Sequence, residues 1–184
     1  AMYNFVSEPI SKFVDNMFKY SSNFAAEMLF KTIAAQDSVP GSWASGAKRV
    51  TSWWESCKLP GKLEIANGAG MGNVNKLSAV QIVGLLSHVW NEKSYMPEYL
   101  SSLSVSGIDG TLKARFKKSP LKGVVRGKTG TLNSVKVSNL AGYLLLGKRN
   151  YAFAIICNGV GKGQYDNWVT QEKILEKFSS EINK

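Results

Sequence analysis

The sequence predicts an α+β fold: a helical region, then an antiparallel three-stranded meander, then a C-terminal helix. Three observations carry this. Residues 7–103 hold apolar stripes at helical spacing. Residues 123–158 form three apolar runs, with Gly147-Lys148-Arg149-Asn150 as a hairpin turn between the last two. Helices and strands are segregated along the chain, the pattern of an antiparallel sheet with helices packed on it. With 184 residues, 44% hydrophobic and 20% charged, the chain is long and apolar enough for one globular domain with its own core.

The elements follow in order. Residues 7–19 read as a helix with Ile10, Phe13, Val14, Met17 and Phe18 on one face, and Pro9 suits its first turn. Residues 22–36 form a second, striped by Phe24, Met28, Leu29, Ile33 and Ala34. Residues 42–57 form a third, with Trp43, Ala47, Val50, Trp53 and Trp54, and Pro60-Gly61 stops it. Residues 67–72 (Asn-Gly-Ala-Gly-Met-Gly) are a turn-rich loop; no strand feeds it, so it is not a dinucleotide fingerprint. Residues 78–90 are a strongly amphipathic helix, 97–103 a shorter one, and 106–110 a turn. Strands are expected at 123–132, 136–147 and 151–158, a loop at 159–163 and a last helix at 167–182. Internal repeats and low-complexity tracts are absent from the sequence.

Composition removes several function classes. The net charge of +10 suits an acidic partner or a solvated surface. Yet the lysines are scattered, and no basic run interleaves with aromatics, so no nucleic-acid partner is expected. No apolar run approaches the ~20 residues of a membrane helix, so no transmembrane segment is expected. Ala1-Met2 looks like an addition before an artificial start, so the lack of a signal peptide is uninformative. Cys57 and Cys157 cannot form a zinc site alone, and no metal or cofactor is expected. Cys157 reads as a small buried hydrophobe, and a bridge between the two stays open. His88, the one histidine, sits among Leu85, Leu86, Val89 and Trp90 and reads as a helix residue, which leaves no ordinary Ser-His-Asp relay. Asp109 and Glu27 are possible acids, but no paired carboxylates stand out.

Two motifs point to chemistry. Gly127-Lys128-Thr129-Gly130-Thr131-Leu132 lies inside the first expected strand. Glycines weaken a strand interior and mark close approach of a ligand or another backbone. A lysine between them has no easy packing role. The second motif is Ser21-Ser22-Asn23, between two helices, where Ser and Asn are also favoured helix caps. K-T-G with S-x-N resembles the motif set of penicillin-binding proteins and class A β-lactamases. The resemblance then becomes specific. Gly107-Ile108-Asp109-Gly110-Thr111-Leu112-Lys113-Ala114-Arg115-Phe116 resembles the G-x-D-G-T-L-x-x-R-F segment of the D-alanyl-D-alanine carboxypeptidase/endopeptidase family of serine peptidases, the penicillin-binding protein 4 type. Lys128 to Leu132 and Leu140-Ala141-Gly142-Tyr143 resemble its K-T-G-T-L and L-A-G-Y, Asn67 to Met71 its D-G-S-G-L, and Ser21 to Asn23 with Ala26-Glu27 its S-D-N-x-x-A-E. Order and spacing agree over residues 20–160. Asn67 and Ala69 replace the usual Asp and Ser, and Ser22 the usual Asp.

The resemblance implies a β-lactamase/transpeptidase-like fold, with residues 1–184 as the C-terminal portion of one penicillin-binding domain. It implies a periplasmic parent that trims or cleaves peptidoglycan stem peptides through an acyl-enzyme and binds β-lactams. The nucleophilic S-x-x-K of the family precedes S-x-N, so it is expected in a missing N-terminal half, and the chain alone is expected to be inactive. Ser45-Gly46-Ala47-Lys48 and Ser119-Pro120-Leu121-Lys122 match S-x-x-K but fall after S-x-N, the wrong order. In the implied site, Ser21 carries a proton to the leaving nitrogen, Asn23 holds substrate amide, and Lys128 tunes the base and adds charge. Thr129 and Thr131 bind the terminal carboxylate, the Thr131 N–H forms half of an oxyanion hole, and Gly130 admits the substrate backbone. A non-catalytic recognition module and a β-lactamase or esterase of the same superfamily remain open readings. Strand 151–158 is apolar throughout, as a central strand is, so without the other half its bare edge is expected to give either self-association or a loosened, rearranged fragment.

Overall fold

A computed structural model describes residues 4, 6–35, 40–147, 149–159 and 163–182. Its helices are α1 Ile10–Tyr20, α2 Asn23–Ala35, α3 Trp43–Ser56, α4 Ala79–Asn91, α5 Met96–Ser102 and α6 Gln164–Ile182. Its strands are β1 Ser104–Val105, β2 Val125–Leu132, β3 Val137–Leu145 and β4 Asn150–Cys157. The α+β architecture and the antiparallel meander β2–β3–β4 agree with the sequence reading. The sheet, however, has four strands in the order β1-β2-β3-β4, not three. β1 pairs Ser104 with Gly127 and Val105 with Arg126. Two residues are too few to show an alternating pattern, so no sequence signal marks them. Other bounds shift by a few residues: β2 begins at Val125, because Gly123 turns the chain with φ 78°, and α6 begins at Gln164. The expected helix end at residue 36, residue 148 of the hairpin and residues 160–162 of the loop lie outside the described residues.

Two apolar layers hold the sheet, one on each face. Val125, Leu140 and Leu144 pack with Leu112, Phe116, Leu121 and Leu175, so the segment after β1 and helix α6 cover one face. Tyr143 packs with Leu86, Val89, Met96 and Leu103, so α4 and α5 cover the other. The Tyr143 hydroxyl donates to the Leu86 carbonyl at 2.7 Å, which satisfies a polar group that would be costly to bury unpaired. Helices α3 and α4 start with capping boxes, Ser42 with Ser45 and Ser78 with Gln81.

Two expectations need correction, and one open reading closes. The apolar stripe of α1 is only partly covered: none of its residues is fully buried, and Ile10 is 64% exposed. Both cores form elsewhere, leaving this helix on the outside of the described structure. Cys157 is half-buried rather than buried, since it ends β4, whose outer edge carries no strand among the described residues. Cys57 and Cys157 are both free thiols, so no bridge joins them.

Candidate active site

Helix α1 delivers Ser21 to the site in an unusual conformation. Ser21 is its C-cap, left-handed at φ 55° and ψ 49°, with its N–H bonded to the Met17 carbonyl. That position normally takes glycine, and a non-glycine residue there stores about 1 kcal/mol or more of strain. Ser22 does the capping of α2: its Oγ accepts from the Ala25 N–H at 3.2 Å. The helix-cap alternative therefore belongs to Ser22, and Ser21 and Asn23 are left for other work. Asn23 opens α2 and donates from Nδ2 to the Met71 sulfur at 3.5 Å.

Lys128 lies mid-way along β2, opposite Ala141. Its Nζ donates to Ser21 Oγ at 2.5 Å and to the Thr129 carbonyl at 2.8 Å. The side chains of the two motifs thus meet across 107 residues of sequence. Both acceptors are uncharged, so no opposite charge offsets the loss of water. Burial lowers the Lys128 ammonium from 10.5 to about 8. The unfolded chain keeps the proton up to about 10.5, so the buried ammonium carries its full cost to stability below about pH 8, and that cost is relieved as pH rises from about 8 to 10.5. A lysine-specific NMR titration, assigned with Lys128→Arg, should show one midpoint near 8; a Lys128 midpoint near 10.5 would show the ammonium to be open to water.

Around this pair lies an open cleft of about 440 Å³, lined by Ser21, Asn23, Lys128, Thr129, Gly130 and Thr131 together with the loop at Ala69 to Met71. All six of the predicted site residues border it. Thr129 does so with its hydroxyl turned away, donating to Thr111 Oγ1 at 3.0 Å. Gly130 and Thr131 are exposed. β1 pairs only with Gly127 and Arg126, so from Lys128 onward the outer edge of β2 carries no strand among the described residues. An extended peptide can add there as a further strand.

The glycine loop forms the opposite wall. Asn67 Oδ1 accepts from the Gly70 N–H at 2.8 Å, and Asn75 Oδ1 from the Ala66 N–H at 2.8 Å. A Cβ on Gly68 would stand 2.6 Å from the Ala26 carbonyl, so glycine is needed for the loop to close on α2. Glu27 is a brace rather than an acid in the cleft. Its two oxygens accept from the Ala69 N–H at 3.0 Å and the Trp43 indole N–H at 2.8 Å.

Neither S-x-x-K match reaches the cleft. Ser45 Oγ is spent in the capping box of α3 and donates to the Pro40 carbonyl at 2.9 Å. Ser119 Oγ accepts from the Leu121 N–H at 3.1 Å in a turn. His88 packs edge-on against Trp53, 5.7 Å between ring centres, and does not line the cleft. Among the described residues no group of His, Cys, Asp and Glu is arranged to hold a metal, and no helix is long and apolar enough to cross a membrane. Sequence reasoning gave no role to Lys19, which bonds Asp109 and the Leu103 carbonyl, or to Thr111, whose hydroxyl accepts from Thr129 of the K-T-G strand. Only their adjacency to Ser21 and Asp109 could have marked them.

An S-x-N turn whose serine meets the lysine of a K-T-G strand beside an open cleft brings together two of the three motifs of penicillin-binding proteins. Residues 2–177 match the D-Ala-D-Ala carboxypeptidase 3 (S13) family, and the chain belongs to it. It is 30% identical over 159 residues to a D-alanyl-D-alanine carboxypeptidase of Actinomadura sp. (strain R39), covering 83% of this chain and 29% of that protein. It is 26% identical over 176 residues to the D-alanyl-D-alanine carboxypeptidase DacB of Haemophilus influenzae, covering 93% of this chain and 36% of that protein. The crystal structure of penicillin binding protein 4 from H. influenzae, complexed with a β-lactam, superposes with a TM-score of 0.78 at 26% identity, over 85% of this chain and 37% of that one. A predatory peptidoglycan endopeptidase from Bdellovibrio bacteriovorus shares the fold, with a TM-score of 0.69 at 18% identity over 95% of this chain and 42% of that one. The chain thus spans about a third of the length of the curated relatives it matches.

Proposed function

We propose that residues 1–184 are the C-terminal portion of a penicillin-binding domain in a serine-type D-Ala-D-Ala carboxypeptidase/endopeptidase. The parent acts on peptidoglycan stem peptides in the periplasm. The observation that carries this reading is the 2.5 Å contact between Lys128 Nζ and Ser21 Oγ. The nucleophilic serine and its lysine lie in preceding polypeptide. The exposed apolar residues Ile10 and Phe24, at 64% and 75%, and the bare edge of β4 support a partner segment there.

On this reading the reaction runs as follows. The substrate's terminal D-Ala-D-Ala enters extended along the open edge of β2, with its carboxylate drawn to Lys128 and its amide side held by Asn23. The upstream serine oxygen adds to the penultimate carbonyl carbon, and its proton goes to the upstream lysine. The tetrahedral oxyanion is met by the Thr131 N–H and a second N–H from the upstream part. The C–N bond then breaks, and D-alanine needs a proton as it leaves. Ser21 is suited to give it: its oxygen accepts from Lys128, so its own hydrogen is free to point into the cleft. Water hydrolyses the acyl-enzyme. A β-lactam follows the same first step, with the ring C–N bond as the one broken.

Fluorescent penicillin applied to the full-length parent should label it covalently, and a D-Ala-D-Ala peptide should release free D-alanine. Absence of both labelling and release would leave a recognition module, and β-lactam turnover without release a β-lactamase. The 184-residue chain itself should form no penicillin adduct in a mass spectrum. A stoichiometric adduct on Ser45 would show that its S-x-x-K match is the nucleophile after all.

A further inference from the structure

We infer that Asp109 is a positioning residue for the Ser21–Lys128 pair, acting through Lys19 at the end of α1. The inference rests on the reading of that pair given above. Helix α1 carries the Ser21 turn, yet buries none of its own residues fully. Apolar packing alone therefore holds it loosely, with the Phe18–Tyr99 edge contact at 5.5 Å as one of the few anchors near its end. The firm attachment is polar. Lys19 Nζ donates to Asp109 Oδ2 at 2.7 Å and to the Leu103 carbonyl at 2.7 Å, and the Lys19 side chain is only 13% exposed. The Asp109 side chain is 40% exposed, so the contact is half-shielded, but its short charge-assisted geometry and the second bond from Lys19 to the Leu103 carbonyl fix the helix end.

Asp109 is itself fixed to the sheet. Its Oδ1 accepts from the Val105 N–H at 2.7 Å, and Val105 pairs with Arg126 of β2. One carboxylate thus ties the helix that ends at Ser21 to the strand that carries Lys128. The neighbouring residues tighten the same joint. A Cβ on Gly110 would stand 2.9 Å from the Lys19 carbonyl, so glycine is required for the helix end to sit this close. Thr111 Oγ1 accepts from Thr129 Oγ1, the residue after Lys128, at 3.0 Å. Ser21 is held left-handed without glycine's freedom, and such a conformation persists only where its surroundings impose it. Loosening the Lys19–Asp109 joint lets the turn relax, draws Ser21 off Lys128 and admits water to the ammonium.

The test is the Lys128 titration on the intact chain, followed by lysine-specific NMR in Asp109→Asn, Lys19→Met and the double variant. Each single change should raise the Lys128 midpoint by about one pH unit. The double variant should shift it no further than either single change, since both break one joint. Arg115→Lys is the control: it disturbs the Arg115–Glu172 contact at 3.0 Å on α6 and should leave the midpoint in place. If Asp109→Asn does not fold, Asp109→Glu keeps the charge, displaces it by one methylene and should give a smaller shift of the same sign. Folded variants with an unmoved midpoint, or an equal shift in Arg115→Lys, overturn the positioning role while leaving the site reading intact. A wild-type midpoint near 10.5 overturns the site reading, and this inference with it.

Discussion

Lys128→Met in the full-length parent should slow acylation by penicillin by a factor of about 10²–10⁴. Methionine roughly matches the apolar stem, so the change removes the cation rather than the packing. Two effects then combine. Ser21 loses the donor that sets its hydroxyl orientation at 2.5 Å, and the cleft loses the charge that draws in a carboxylate. Both act at a half-buried ammonium, where charge is screened less than on the surface, which is why the expected loss exceeds that of a surface lysine. Lys128→Arg should recover little, because a planar guanidinium is longer and cannot place one nitrogen against both Ser21 Oγ and the Thr129 carbonyl. Rates of fluorescent penicillin labelling, with far-UV circular dichroism to confirm folding, check this. A Lys128→Met rate within threefold of wild type would remove Lys128 from the mechanism.

Gly142→Ala should destabilise the chain by at least about 3 kcal/mol, the largest single effect on folding expected here. Gly142 sits mid-way along β3, directly opposite Gly127 of β2. An added Cβ would overlap the Arg126 carbonyl oxygen and stand 2.7 Å from the Gly127 Cα. Both obstacles are backbone, so no side-chain rotation relieves the clash. The strands must part at the residue before Lys128, which also disturbs the cleft. Urea denaturation measures it, and a midpoint close to wild type would mean the two strands are not packed this tightly. Gly130→Ala is the internal comparison: its Cβ would come no closer than 3.8 Å to Asn139, an ordinary contact, so folding should change little.

The two glycines illustrate which features the sequence exposed. Both belong to motifs that were noticed, but the reason for Gly142 is a cross-strand partner that no linear pattern reveals. Helices α3 and α4 were legible because stripe and start signal agree locally: Ser42 and Ser78 each cap the helix they precede. β1 was not, because a two-residue strand has no periodicity and exists only by pairing with β2. The S-x-N triplet was legible as a motif, yet which serine caps and which faces the lysine depends on the left-handed turn at Ser21. Glu27 and Asp109 were seen as possible acids. Their hydrogen bonds to Ala69, Trp43, Val105 and Lys19 make them braces.

By itself the sequence determined the order and type of most elements, the family, and six of the residues that border the cleft. Those rest on spacing within one helix, one strand or one motif, where neighbours in sequence are neighbours in space. The paired motifs led one to expect Ser21 beside Lys128, and the structure bears this out; the tertiary structure alone decided that Thr129 turns its hydroxyl to Thr111 and that Asp109 ties α1 to the sheet. These contacts depend on strand register and on the angle at which α1 meets the segment after β1. Both are set by the joint packing of two cores, to which no stretch of sequence contributes more than a part.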